Sequence, residues 1–179
     1  MKDDAILREI NDSISVKQKM LDDPALVTAI AQVADACIVA YRHGGRVLLA
    51  GNGGSAADAQ HIAAEFVSRY AFDRPGLASI AFTTDTSMLT AIGNDYGYEQ
   101  IFCRQLEANG RRGDIFIGIS TSGNSPNVIN ALQRAQELDI VTVGLTGQGG
   151  ARMEALCDYC LRVPSMSSPR IPESHIMLG

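Results

Sequence analysis

The stretch Leu48–Phe66, LLAGNGGSAADAQHIAAEF, decides the fold. Its apolar start reads as a strand, Gly51 to Gly54 read as a tight turn, and a helix-like segment follows. A strand that breaks on glycines straight into a helix is the opening of a strand–helix–strand unit. Working outward, short apolar runs occupy 46–50, 78–82, 114–119, 140–145 and 159–163. Helix-length segments separate them: 55–70, 86–93 continuing through 98–109, 125–138 and 149–157. This alternation predicts an α/β fold, a doubly wound parallel five-stranded sheet flanked by helices. Two further helices precede it. Ile6, Leu7, Ile10, Ile14 and Met20 share roughly one face of the first, and Leu26, Ile30, Val33, Ala34 and Cys37 one face of the second. A single domain over 1–179 is expected, with helices over 1–44 that either pack on their own sheet or, as favoured, contact another copy, and an α/β sandwich over 45–179.

Composition narrows the function. The chain of 179 residues is 46% apolar and carries a net charge of −5, which argues against a protein held on nucleic acid by phosphate contacts. No apolar run is read as long enough to span a membrane, and MKDDAILREINDS lacks the apolar core of a secretory signal, so the expected location is cytoplasmic. Of four cysteines, Cys157 and Cys160 form a C-x-x-C without a second metal-type pair, which reads as reduced, partly buried thiols.

In a doubly wound sheet, ligands sit where strands end and helices begin. Gly51, Gly53 and Ala56 have the spacing of a dinucleotide turn, but such a turn needs an acidic residue at the end of the next strand, about twenty residues on. Asp73 precedes that strand and Asp85 lies too far along, so a different polar ligand is favoured. Ser120, Thr121, Ser122 and Ser125 cluster before a helix opened by Pro126. Hydroxyls and free N–H groups at a helix N-terminus form an anion site, here without the lysine of a nucleotide P-loop. His61 and Glu65 stand four apart on the helix after the glycine turn, with Arg69 one turn further. Such a row suits a divalent metal or acid–base chemistry beside an anion. Asn94 and Asp95, between two helical pieces, can hold sugar hydroxyls.

Taken together, GNGGSAADAQHIAAEF, TTDTSMLTAIGNDYGYE and STSGNSPNV closely resemble the sedoheptulose-7-phosphate (phosphoheptose) isomerases of the SIS domain family. The resemblance covers essentially the whole chain. It implies an aldose–ketose isomerase converting D-sedoheptulose 7-phosphate to D-glycero-D-manno-heptose 7-phosphate, the first step towards activated heptose for lipopolysaccharide or other surface glycans. It also implies a cytoplasmic homotetramer with zinc and with active sites at subunit interfaces. By the same resemblance, Asn52, Gly53, Gly54, Asn94 and Asp95 hold substrate. Ser120, Thr121, Ser122 and Ser125 take the phosphate, His61 and Glu65 are metal ligands, and Glu65 is also the general base. Ser55 and Arg69 line the site.

The C-terminal segment SSPRIPESHIMLG departs from the family pattern. Pro172 stands where a ligating Gln is expected, and His175 matches the first histidine of that segment rather than the ligand. The second would follow Gly179, so the chain reads as cut short inside a helix, with half of its metal site and without its expected general acid. The competing class is a non-catalytic SIS protein of the DnaA initiator-associating kind. Retention of Gly54 and Glu65 favours the enzyme. The remaining alternatives are an impaired, truncated isomerase and an SIS domain that only senses a phosphosugar.

Overall fold

The computed structural model describes residues 2–179, with side chains from residue 4 onward. Two long helices, α1 (Lys2–Leu21) and α2 (Pro24–Arg42), lead into β1 (Val47–Gly51), α3 (Gly54–Val67) and β2 (Ser79–Ala81). Then come α4 (Thr86–Tyr96), a 3-10 turn (Tyr98–Gln100), α5 (Ile101–Asn109), β3 (Ile115–Ser120) and α6 (Pro126–Glu137). The chain continues through β4 (Val141–Gly147), the single-turn α7 (Ala151–Glu154), β5 (Tyr159–Val163) and α8 (Arg170–Leu178). All neighbouring strands run parallel in the order β2-β1-β3-β4-β5, as the alternation predicts.

Side chains alternate across the sheet with a period of two, and each face is covered. Val47, Leu49, Ile115, Ile117, Val143 and Leu161 pack with Met20, Leu26, Cys37, Ile62 and Ile171 from α1, α2, α3 and α8. Leu48, Ala50 and Phe116 pack on the other face with Phe102, Leu106, Val128, Leu132 and Met153 from α5, α6 and α7. Burial of each such large apolar side chain stabilises the fold by about 1.5–3 kcal/mol.

Several expectations shift. The helix expected over 55–70 stops at Val67, and the one expected over 149–157 shrinks to four residues. α1 packs through Val16 and Met20, while Ile6, Leu7, Ile10 and Ile14 stay exposed. In α2, Leu26 and Cys37 face the core while Val27, Ile38 and Val39 are exposed. α2 also corrects the view that no segment is long and apolar enough to cross a membrane: by length and composition it is, although Asp35 interrupts it. In this fold α2 lies along the sheet. Pro172 falls in the first turn of α8, where a missing N–H costs no intrahelical bond.

Candidate active site

In the order β2-β1-β3-β4-β5 the chain leaves β1 to one side and returns through β3 on the other, so the loops after β1 and β3 lead to opposite faces of the sheet, the switch point where ligands bind in such folds. Gly51 pairs with Ile119, which sets Asn52 beside Ser120 at the carboxyl edge of the sheet. Two of the expected clusters therefore meet here.

The first wall is the glycine turn. Gly53 caps α3 with φ +56°, a left-handed conformation that glycine adopts without a Cβ penalty. Gly53 and Gly54 are exposed, whereas Ser55 is buried in the first turn of α3. The second wall is the serine loop. Ser120 is buried, and its hydroxyl lies 2.9 Å from that of Ser125. Ser125 is the N-cap residue of α6, yet its side chain makes no capping bond. The hydroxyls thus face each other across the loop at the positive end of the helix dipole. Ser122 Oγ accepts from Asn124 N at 3.2 Å, and Thr121 O accepts from Gly147 N at 3.1 Å, tying this loop to the end of β4. Gly123 makes that approach possible. A Cβ there would sit 2.5 Å from Gly150 Cα, and its φ is +66°.

The two walls are bonded to each other. The Asn52 and Asn127 amides exchange two hydrogen bonds of 2.9 Å, and the Tyr98 hydroxyl donates to Asn52 Oδ1 at 3.0 Å. The 3-10 turn bearing Tyr98 is held in turn by Asn130 Nδ2, which donates to Glu99 O at 3.2 Å. Asn94 and Asp95 occupy the exposed last turn of α4 just ahead of it, with Asn94 Nδ2 donating to Asp95 Oδ1 at 2.8 Å. Asn127 and Tyr98 lie within the motifs SPNV and NDYGYE but stand out by no sequence signal. Their partner, Asn52, is 75 residues from Asn127 and 46 from Tyr98.

His61 and Glu65 belong elsewhere. They do share a face of α3, with His61 Nε2 3.6 Å from Glu65 Oε1. But α3 runs back from the mouth, and at 1.5 Å per residue Glu65 lies about 16 Å along the axis from Gly54. The pair instead lines a cleft of about 410 Å3 with Tyr70, Arg74 and the end of α8 (Ile176 to Gly179). One turn before His61, burial raises the Asp58 carboxyl above the ordinary carboxylate range, partly offset by His61. Arg69 does not extend the row, because the helix ends at Val67 and Arg69 lies beyond it, exposed. The arginine that reaches this end of α3 is Arg74, which donates to Glu65 O at 2.9 Å and Phe66 O at 2.8 Å.

The zinc expectation can be tested on the donors present. Zinc takes three or four protein ligands. Among the described residues, no group of three or more His, Cys, Asp or Glu side chains is arranged to hold a metal. Pro172 has no side-chain donor. His175 is fully buried, and neither ring nitrogen has a hydrogen-bond partner among the described residues. Its burial pulls the imidazole pKa down to about 4, with the Thr146 backbone partly opposing that shift. The residues of this chain alone do not fit a closed zinc site. Cys157 and Cys160 are free thiols, as expected.

Comparison with known proteins agrees with this fold. Residues 13–147 match the model of the SIS domain. A phosphoheptose isomerase of Aneurinibacillus thermoaerophilus is 62% identical over 98% of this chain and 89% of its own length. Phosphoheptose isomerase 2 of Campylobacter jejuni is 60% identical over 94% of this chain and 84% of its own. The solved phosphoheptose isomerase of Neisseria gonorrhoeae superposes with a TM-score of 0.93 at 43% identity, covering 99% of this chain and 94% of that one. That of Francisella tularensis gives 0.94 at 37% identity with the same coverage. A match of this depth over nearly the whole chain places it: it belongs to the SIS domain family and, within it, to the phosphoheptose isomerases.

Proposed function

We propose that the chain interconverts D-sedoheptulose 7-phosphate and D-glycero-D-manno-heptose 7-phosphate by proton transfer between C1 and C2, with the substrate held in the β1–β3 mouth. The observation that carries the reading is the mouth itself: a hydroxyl-lined helix N-terminus bonded across the switch point to a glycine turn. The serine loop suits the phosphate, and its helix dipole favours the dianion. Asn52, Gly53, Gly54, Ser55, Asn94 and Asp95 suit the polyol.

The chemistry needs a base. A carboxylate takes the C1 proton of the ketose, the C1–H pair forms the C1=C2 bond, and the C2=O π pair moves onto its oxygen, giving the enediolate. The O1 proton passes to O2, the O1 pair forms the C1=O bond, and the C1=C2 pair takes the proton back from the carboxyl group at C2, which gives the aldose. Glu65 is the carboxylate the resemblance assigns. Its separation of about 16 Å along α3 from its own mouth supports a site shared between copies, where Glu65 of one chain serves the mouth of another. The exposed stripe Ile6, Leu7, Ile10 and Ile14 on α1, with Val27, Ile38 and Val39 on α2, supplies apolar surface for such an assembly. A cytoplasmic homotetramer supplying activated heptose for surface glycans is the form we propose. No step is routed through zinc.

The test is an isomerase assay with sedoheptulose 7-phosphate, following the aldose product, together with the solution mass by light scattering. Turnover by an assembly larger than a monomer is expected. Absence of turnover from a folded assembly would overturn the proposal.

A further inference from the structure

Asn127 lies at the second position of α6, is 2% exposed, and faces Asn52 across the β1–β3 junction. An amide pair joined by two reciprocal bonds has two possible polarities, and neither amide can flip without the other. Val128 removes the choice. Its backbone N–H only donates and is shared between Ser125 O at 3.1 Å and Asn127 Oδ1 at 3.0 Å, so a flipped Asn127 would set its NH2 group against that N–H. Asn127 therefore turns its oxygen to Val128 N and to Asn52 Nδ2, and its Nδ2 to Asn52 Oδ1. The Tyr98 hydroxyl donates the second bond to Asn52 Oδ1 at 3.0 Å. An amide oxygen accepts through two lone pairs, so that of Asn52 is filled from within the protein. One Asn52 N–H is donated to Asn127, and the other remains for a ligand in the mouth.

We infer that Asn127 and Tyr98 are positioning residues that hold Asn52 as a donor-only group, so that the sugar oxygen meeting Asn52 is recognised as a hydrogen-bond acceptor. This rests on the phosphosugar isomerase reading above and adds the polarity of one contact to it. A carbonyl or enediolate oxygen satisfies that polarity. A hydroxyl satisfies it only while its own proton is donated elsewhere. An Asn52 free to flip would accept both patterns and select neither.

A double-mutant cycle on kcat/KM for sedoheptulose 7-phosphate tests the inference. Asn52→Ala is expected to lose about 30-fold, Asn127→Leu about tenfold and Tyr98→Phe about threefold. Because both residues act through Asn52, adding either to Asn52→Ala is expected to change kcat/KM less than twofold further. Asn127→Asp keeps the shape but turns a lone pair on Asn52 Oδ1, and it is expected to lose more than Asn127→Leu. Losses that multiply in the double variants, or an Asp variant milder than the Leu variant, overturn the inference. If Asn127→Leu fails to fold, Tyr98→Phe, at a residue 63% exposed, carries the cycle alone. A wild-type chain without turnover defeats the isomerase reading by itself. The cycle is then read on sedoheptulose 7-phosphate binding by calorimetry, and no binding overturns both.

Discussion

The mouth between β1 and β3 and the cleft between α3 and α8 are built to different standards. In the mouth, polar groups from three segments bond to one another: Asn52 to Asn127 and Tyr98, and Ser120 to Ser125. In the cleft, the His61 and Glu65 side chains approach each other only to 3.6 Å, and the helix beside them offers Ile176, Met177 and Leu178. A site whose groups already hold each other loses little freedom when ligand arrives. The difference teaches that the mouth, proposed to bind substrate, is already organised within this chain, whereas the proposed chemical pair is not, which suits its completion by another copy.

The sharpest way to break that division is Glu65→Gln. Loss of the base is expected to lower kcat by about 10²- to 10⁴-fold while sedoheptulose 7-phosphate still binds in a calorimeter. Unchanged turnover would remove Glu65 from the chemistry. With substrate well below KM, assemblies mixing Glu65→Gln with Ser120→Ala chains are expected to exceed the summed activity of the two parents, since some mouths then pair an intact serine loop with an intact Glu65. No excess in verified mixed assemblies would return both halves to one chain.

Ser120→Ala alone acts on the mouth. It is expected to raise KM about tenfold, by loss of one phosphate contact and of the Ser125 partnership, with kcat little changed. A fall in kcat at constant KM would move Ser120 from binding to chemistry.

His175 sharpens the comparison from the side of stability. Its pKa in the fold is about 4 against an ordinary 6.5, so the folded state favours the neutral ring. As pH falls from about 6.5 towards 4, the unfolded chain takes up a proton that the folded chain refuses. Up to about 3 kcal/mol is lost across that window. Urea midpoints at pH 7 and pH 4.5 are expected to differ by less in His175→Leu than in the native chain. Equal slopes would show that other groups carry the acid sensitivity.

The smallest effect belongs to Arg74→Ala. Two guanidinium bonds to the last carbonyls of α3 would be lost, at a cost of about 1.5 kcal/mol, and the helix end under Glu65 would fray. Thermal melting would register it, and a melting temperature equal to wild type would deny Arg74 that role.

Much of this was legible in local pattern. The alternation of short apolar runs with helical segments predicts the parallel sheet, and the glycine turn and serine cluster mark the two loops that form the mouth. Both work because backbone sterics and hydrophobic periodicity act over neighbours a few residues apart. Arg69 shows where such reasoning ends. Helical spacing put it on the His61–Glu65 face, but the helix stops at Val67 and Arg74 returns instead to bond the carbonyls there.

By itself, then, the sequence determined the elements, their order and the chemical character of each loop, since these follow from local conformational preference and burial. Only the tertiary structure decided which loops share a crevice, that Asn52 is gripped by Asn127 and Tyr98, that the apolar stripe of α1 faces outward, and that Glu65 lies three turns from the mouth of its own chain. Those facts depend on the register of β1 against β3 and on the direction in which α3 runs back across the sheet, and such long-range geometry leaves no periodic trace in the chain.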